Sequence, residues 1–142
     1  MDLNSFRDLV QPVTQAISER SLDAQLEEHL CALFPPESDD FNVIEPACRE
    51  AIAAGWMCTQ GGPGRRFGRV IEPGPDTHGL SVDVVDLKDI VGPHHRHPSG
   101  EVCMIMPVTE TAKFDDGQCF PWVCAAGTNR RPPADTTTSL RL

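Results

Sequence analysis

The apolar positions of this chain follow two different rhythms. From Leu3 to Trp56 they recur every three or four residues: Phe6, Leu9, Val10, Val13 and Ile17, then Leu22, Leu26, Leu30 and Leu33. That spacing lays a single apolar stripe along a helix and predicts two amphipathic helices. Ser21 or Asp23 can start the second. The segment Phe34 to Ser38, with its paired prolines, stops it, because proline cannot continue the hydrogen-bond ladder. A third helix is predicted from about Phe41 to Ala54, with Pro46 in its first turns and Gly55 at its end.

Beyond Thr59 the rhythm changes. Glycine and proline recur every few residues, and the segments between them are short and rich in valine and isoleucine. Phe67–Ile71, Leu80–Leu87, Glu101–Val108, Ala112–Asp115 and Phe120–Ala125 read as strands. In Leu80–Leu87 the alternation puts Val82 and Val84 on one face and Ser81 and Asp83 on the other, as on a half-buried strand. The expected fold class is α+β: N-terminal helices over residues 1–58, then a small antiparallel sheet or barrel over residues 65–132. Residues 133–142 lack apolar alternation and follow a proline pair, so they read as an irregular tail. A length of 142 residues suits one domain.

A net charge of -9 and a pI near 4.8 disfavour nucleic acid or an anionic membrane as partner, since both select a positive face. No apolar run approaches the ~20 residues needed to span a bilayer. The N-terminus lacks a basic segment followed by an apolar one, which makes a cytoplasmic protein with a small-molecule partner the default expectation. The basic residues cluster, with Arg65, Arg66 and Arg69 in one group and Arg96, Arg130 and Arg131 later, so a local pocket for a small anion is available. The six cysteines form no C-x-x-C pair, and Cys103 sits inside an apolar run. They read as small buried hydrophobes.

Three of the five histidines fall within residues 94–97, in "HHRHPSGE". On a strand, residues i and i+2 share a face, so His95 and His97 can present both imidazoles to one point while His94 and Arg96 face away. Glu101 lies four residues further on, across a turn. Two histidines and a carboxylate suit a divalent ion, whether iron, manganese, nickel or zinc, and leave positions open for water or substrate. A bare H-x-H is more often a polar loop. Here the glutamate spacing, the glycine before it and the strand after it favour a metal site. His78 reads as a turn residue or as an acid–base group at a barrel mouth, and Trp122 as core.

The same residues carry a resemblance. His95, His97 and Glu101 resemble the first motif of the cupins, small antiparallel β-barrels. The longer stretch "HHRHPSGEVCMIMPV", with "THGLSVDVVDL" before it and "WVCAAGTNRRP" after it, resembles the 4-hydroxylaminobenzoate lyase family of bacterial nitrobenzoate degradation, over roughly Arg69 to Pro132. The resemblance implies a cupin-like barrel and a lyase that converts 4-hydroxylaminobenzoate to 3,4-dihydroxybenzoate with release of ammonia. It further implies a divalent metal ion on His95, His97 and Glu101, with a carboxylate, Glu101, to activate water and Arg130 as a cation for the substrate carboxylate; His78 is added as an expected acid–base group and Arg96 as an expected substrate-binding cation.

The chain departs from the family pattern at two points. Where such proteins carry a second-motif histidine, "AAGTNRRP" places Arg130, and arginine cannot ligate a cation. The expected closing strand is also missing, which leaves the barrel incomplete at its C-terminus, with an edge to be covered by the helices or by a second copy in a homodimer. Two alternatives remain: a metal-dependent cupin dioxygenase or isomerase of an aromatic acid, and a non-catalytic module binding an aromatic carboxylate.

Overall fold

The computed structural model describes residues 1–18, 20–21, 23–88, 95–96, 101–107, 122–125, 129–130 and 137–141. Three helices come first: α1 (Leu3–Ile17), α2 (Ala24–Leu33) and α3 (Asp39–Ala54). Each starts at a side-chain cap that satisfies one of the free backbone N–H groups of the first turn. Asp2 accepts from Ser5 N at 2.8 Å, Asp23 from Leu26 N at 3.0 Å and Ser38 from Phe41 N at 3.2 Å. Because Ser38 is the cap, α3 begins two residues before the expected Phe41 and takes Pro46 into its middle. Gly55, at φ 88°, ends α3 in the left-handed region that glycine adopts without strain.

The strands follow: β1 (Gln60–Gly62), β2 (Arg65–Ile71), β3 (Val82–Leu87), β4 (His95–Arg96), β5 (Glu101–Pro107), β6 (Trp122–Ala125), β7 (Asn129–Arg130) and β8 (Thr137–Arg141). Six of them form one antiparallel sheet in the order β1-β2-β3-β8-β5-β6, and β4 pairs with β7. Helices before an antiparallel sheet is the expected α+β arrangement. Among the described residues no pairing joins β1 to β6, so the sheet is open. The expected strand Ala112–Asp115 lies outside the described residues.

The expectation of an irregular tail without a final strand is wrong for Thr137–Arg141. This segment is a central strand, β8, in register with β3 on one side (Val84↔Leu140) and β5 on the other (Met104↔Leu140). With a single leucine among threonine, serine and arginine it shows no apolar alternation. Threonine still fits a pleated strand well, and ladders on both sides supply the hydrogen bonds that its own sequence does not advertise.

The two faces of the sheet differ. Ile71, Val82, Val84, Val102, Met104, Met106 and Trp122 join Phe6, Val10, Val13, Leu30, Ile44 and Cys48 of the helices in one core. Trp122 sits where the two layers meet: its Nε1 donates to Phe34 O at 2.8 Å, and its ring lies 6.1 Å from that of Phe34. The opposite face carries Val85, Leu87, Cys103 and Ile105, all buried yet outside the helix-side core. All of Val102–Met106 is buried, as on a strand covered from both sides.

Candidate functional site

Strand pairing decides which of the expected site residues share a neighbourhood. In the β4–β7 ladder His95 is the direct partner of Arg130, and Arg96 the partner of Asn129. Directly opposed residues lie on the same face of an antiparallel pair and successive residues on opposite faces. His95 and Arg130 therefore share a face, and Arg96 belongs to the other. Arg96 and Arg130, both expected to bind substrate, are divided between the two faces of this pair.

Glu101 opens β5, in register with Ala125 at the end of β6. Four residues link β4 to β5 and three link β6 to β7. Ala125 and Asn129 are therefore at most ~14 Å apart even with the chain fully extended. The linkers bound how far the β4–β7 pair can lie from the strand that Glu101 opens. His97, the third expected ligand, lies outside the described residues. Among the described residues, no group of three or more His, Cys, Asp or Glu is placed to hold a metal.

Alternation along β5 places Glu101 on the face of Cys103 and Ile105, the one turned away from the helices. On that face Arg69 of β2 is in register with Asp83 of β3 and holds it with a fork: Nε to Oδ1 at 2.8 Å and Nη2 to Oδ2 at 3.3 Å. The pairing raises the affinity of the Arg69 guanidinium for its proton. Phe67 lies in register with Val85 on the same face, and the Arg65 guanidinium sits 5.1 Å from the Phe67 ring centre. Arg66 pairs instead with Asp86, at 2.9 Å, on the helix side. The basic cluster of Arg65, Arg66 and Arg69 is thus engaged within the sheet, and Asp83 and Asp86 lie on opposite faces, as their spacing implies.

His78 follows a single 3-10 turn, Pro75–Thr77, in a left-handed conformation at φ 53°. Its Nδ1 lies 3.0 Å from Oγ1 of Thr14, a buried residue of α1. Thr14 Oγ1 also lies 3.0 Å from Gln11 O, to which it donates. A hydroxyl has one proton, so with that proton on Gln11 the ring donates to Thr14 through Nδ1. In this geometry His78 clips the turn to the first helix. The sequence carried no sign of that contact, because its partner is 64 residues away.

Cys31, Cys48, Cys58 and Cys103 are free thiols. Burial pushes Cys48 and Cys58 each up to about 12, and Cys58 Sγ lies 3.5 Å from Val84 O. They are inert core groups, as their setting in the sequence suggested.

The family model for 4-hydroxylaminobenzoate lyase (PnbB) matches residues 8–141, from the first helix to the last strand. The chain belongs to the 4-hydroxylaminobenzoate lyase family. It is similar to a 4-hydroxylaminobenzoate lyase of Pseudomonas putida, with 26% identity over 109 residues, 68% of this chain and 62% of that protein. It is also similar to one of Nocardioides sp. (strain LMS-CY), with 25% identity over 120 residues, 79% of this chain and 71% of that protein. The chain thus covers less than two thirds of the Pseudomonas lyase. No solved structure matches it. Both Arg130 and the unexpected strand β8 fall inside the stretch matched by the lyase family. No described helix is long and apolar enough to cross a membrane.

Proposed function

We propose that this chain converts 4-hydroxylaminobenzoate and water to 3,4-dihydroxybenzoate and ammonia. The observation that carries the reading is the family match over residues 8–141, which takes in the paired strands bearing His95, Glu101 and Arg130. In the reaction the N–O bond breaks heterolytically, with its electron pair leaving on the hydroxyl, which departs as water. A second water adds to the ring carbon beside the nitrogen. The imine left at C4 is hydrolysed, and the ring regains its aromaticity with two adjacent hydroxyls. One water is consumed overall and no external electron donor or acceptor is needed.

Two imidazoles and a carboxylate are a donor set suited to a divalent ion, so His95, His97 and Glu101 would hold it. Such an ion would supply Lewis acidity at the oxygen that departs or attacks. Arg130, in register with His95, adds a fixed positive charge where negative charge develops on the departing hydroxyl. An acidic protein needs such a local cation to hold an anionic substrate at all.

The test is an anaerobic assay for ammonia and 3,4-dihydroxybenzoate, run beside elemental analysis of the purified chain. Both products in equal amount, with a divalent metal retained and lost together with turnover in His95→Ala, would support the reading. Oxygen-dependent turnover would replace it with an oxygenase. Tight substrate binding without product would replace it with a binding module.

A further inference from the structure

We propose that the three-helix layer acts as an electrostatic filter on ligand uptake: it weakens capture of anions at low ionic strength, so that their binding tightens as salt is added. The inference rests on the proposed lyase reading, whose substrate is a carboxylate, and adds a determinant of how that substrate is taken up. The distribution of charge matters more here than its total. Residues 1–58, the helical part, hold eleven acidic and three basic side chains, whereas residues 59–142 hold ten acidic and nine basic. Of the net charge of -9, the helical part therefore carries -8 and the rest of the chain -1.

The two parts also hold their charges differently. On the sheet, Arg66 is bound to Asp86 at 2.9 Å and Arg69 to Asp83 at 2.8 Å. Each such pair acts as a dipole, whose field falls off quickly with distance. On the helical side Asp8 of α1, Glu28 of α2 and Glu37 of the turn before α3 are exposed and make no ion pair among the described residues. Charges left uncompensated act over the distance that salt permits, about 30 Å at 10 mM and about 8 Å at 150 mM. The helices pack on one face of the sheet, so this long-range field is centred on one side of the molecule. Two packed layers are about 20 Å thick. Eight charges at about that distance in water weaken binding of a monoanion about fourfold at 10 mM salt and hardly at all at 150 mM. A neutral ligand of the same shape feels no such repulsion. A cation inside the site acts at contact range, where salt screens least, so its attraction survives when the repulsion is screened. The sign of the salt effect separates the two.

The experiment uses the full chain and reads the Kd of 4-aminobenzoate and of uncharged 4-aminobenzamide at about 10 mM and about 150 mM sodium chloride. The same series is run on a triple variant, Asp8→Asn, Glu28→Gln and Glu37→Gln, whose three positions are exposed and take no part in the candidate site. For the wild type the expected result is an about threefold fall in the Kd of 4-aminobenzoate between the two salts, with 4-aminobenzamide unchanged. The triple variant should bind 4-aminobenzoate about twofold more tightly than the wild type at low salt, and the gain should vanish at high salt. A Kd for 4-aminobenzoate that rises with salt would show that cations in the site govern uptake and would overturn the proposal. An equal response of the uncharged amide would do the same, as would a triple variant that matches the wild type at low salt. The wild-type series decides by itself if the variant does not fold. A chain that binds neither ligand overturns the filter and the lyase reading together. If 4-aminobenzoate binds with the expected salt response but no ammonia forms from 4-hydroxylaminobenzoate, the filter stands and the lyase reading falls. Turnover with a KM that salt does not change leaves the lyase reading and removes the filter.

Discussion

The two faces of the central sheet are both apolar in part, yet they are built for different ends. The helix-side face joins Val82, Val84, Met104, Met106 and Trp122 to three helices in one continuous core. The other face interleaves buried Val85, Leu87, Cys103 and Ile105 with charged positions: the Arg69–Asp83 pair, Glu101 and Arg141. Charges are tolerated on a covered face only when paired or put to use, because stripping water from an isolated charge is costly. The difference teaches that strand parity separates two environments: one set of alternate residues packs against the helices, and the next carries charged positions beside buried apolar ones.

The sharpest way to break that comparison is to strike each face in turn. Trp122→Ala should lower stability by about 3–5 kcal/mol in urea unfolding, as removal of a buried aromatic ring does, and it also leaves Phe34 O without its donor. The soluble fraction that remains folded should keep its KM. Glu101→Gln should do the reverse, with turnover and retained metal falling together by about 100-fold, worth about 2.7 kcal/mol, and the unfolding midpoint little changed. A Glu101→Gln protein that unfolds as early as Trp122→Ala would mean that the second face is structural as well.

Smaller effects sharpen the picture at the edge of the helical layer. Thr14→Val and His78→Ala should each cost about 1 kcal/mol by removing one partly buried hydrogen bond, with turnover unchanged. A loss of turnover in His78→Ala alone would return to that ring the acid–base role suggested by its sequence setting. The smallest effect at neutral pH comes from the core thiols. Cys48 and Cys58 stay protonated in the folded chain up to about 12, above the ordinary thiol range, so the folded state keeps protons that the unfolded chain releases. Their contribution to stability is complete below the unfolded thiol value, near pH 9. It declines as the pH rises from there through 12, which chemical denaturation at stepped alkaline pH would reveal.

Local signals carried much of this fold. The cap Asp23, the apolar stripes of α1 and α2 and the strands β2, β3, β5 and β6 all lie close to where period and punctuation put them, whereas the caps Asp2 and Ser38 were not foreseen. The family was visible in the residues around His95 and Glu101, while the ligand set read from their spacing includes His97, which lies outside the described residues. Arg141, Asp83 and the role of Thr14 in holding His78 were not visible, because each depends on a partner tens of residues away.

What the sequence by itself determined is therefore the order and type of most elements, since helical and strand periodicities are written in neighbouring residues. Only the tertiary structure decided that Thr137–Arg141 is a central strand and that Arg96 and Arg130 part company across a ladder. It also decided that Arg141 joins Glu101 on one face. Register is the physical reason: a strand with little apolar character takes its stability from the hydrogen bonds its neighbours offer. The face each of its residues shares is set by which partner stands opposite, a relation that no local stretch of the chain contains.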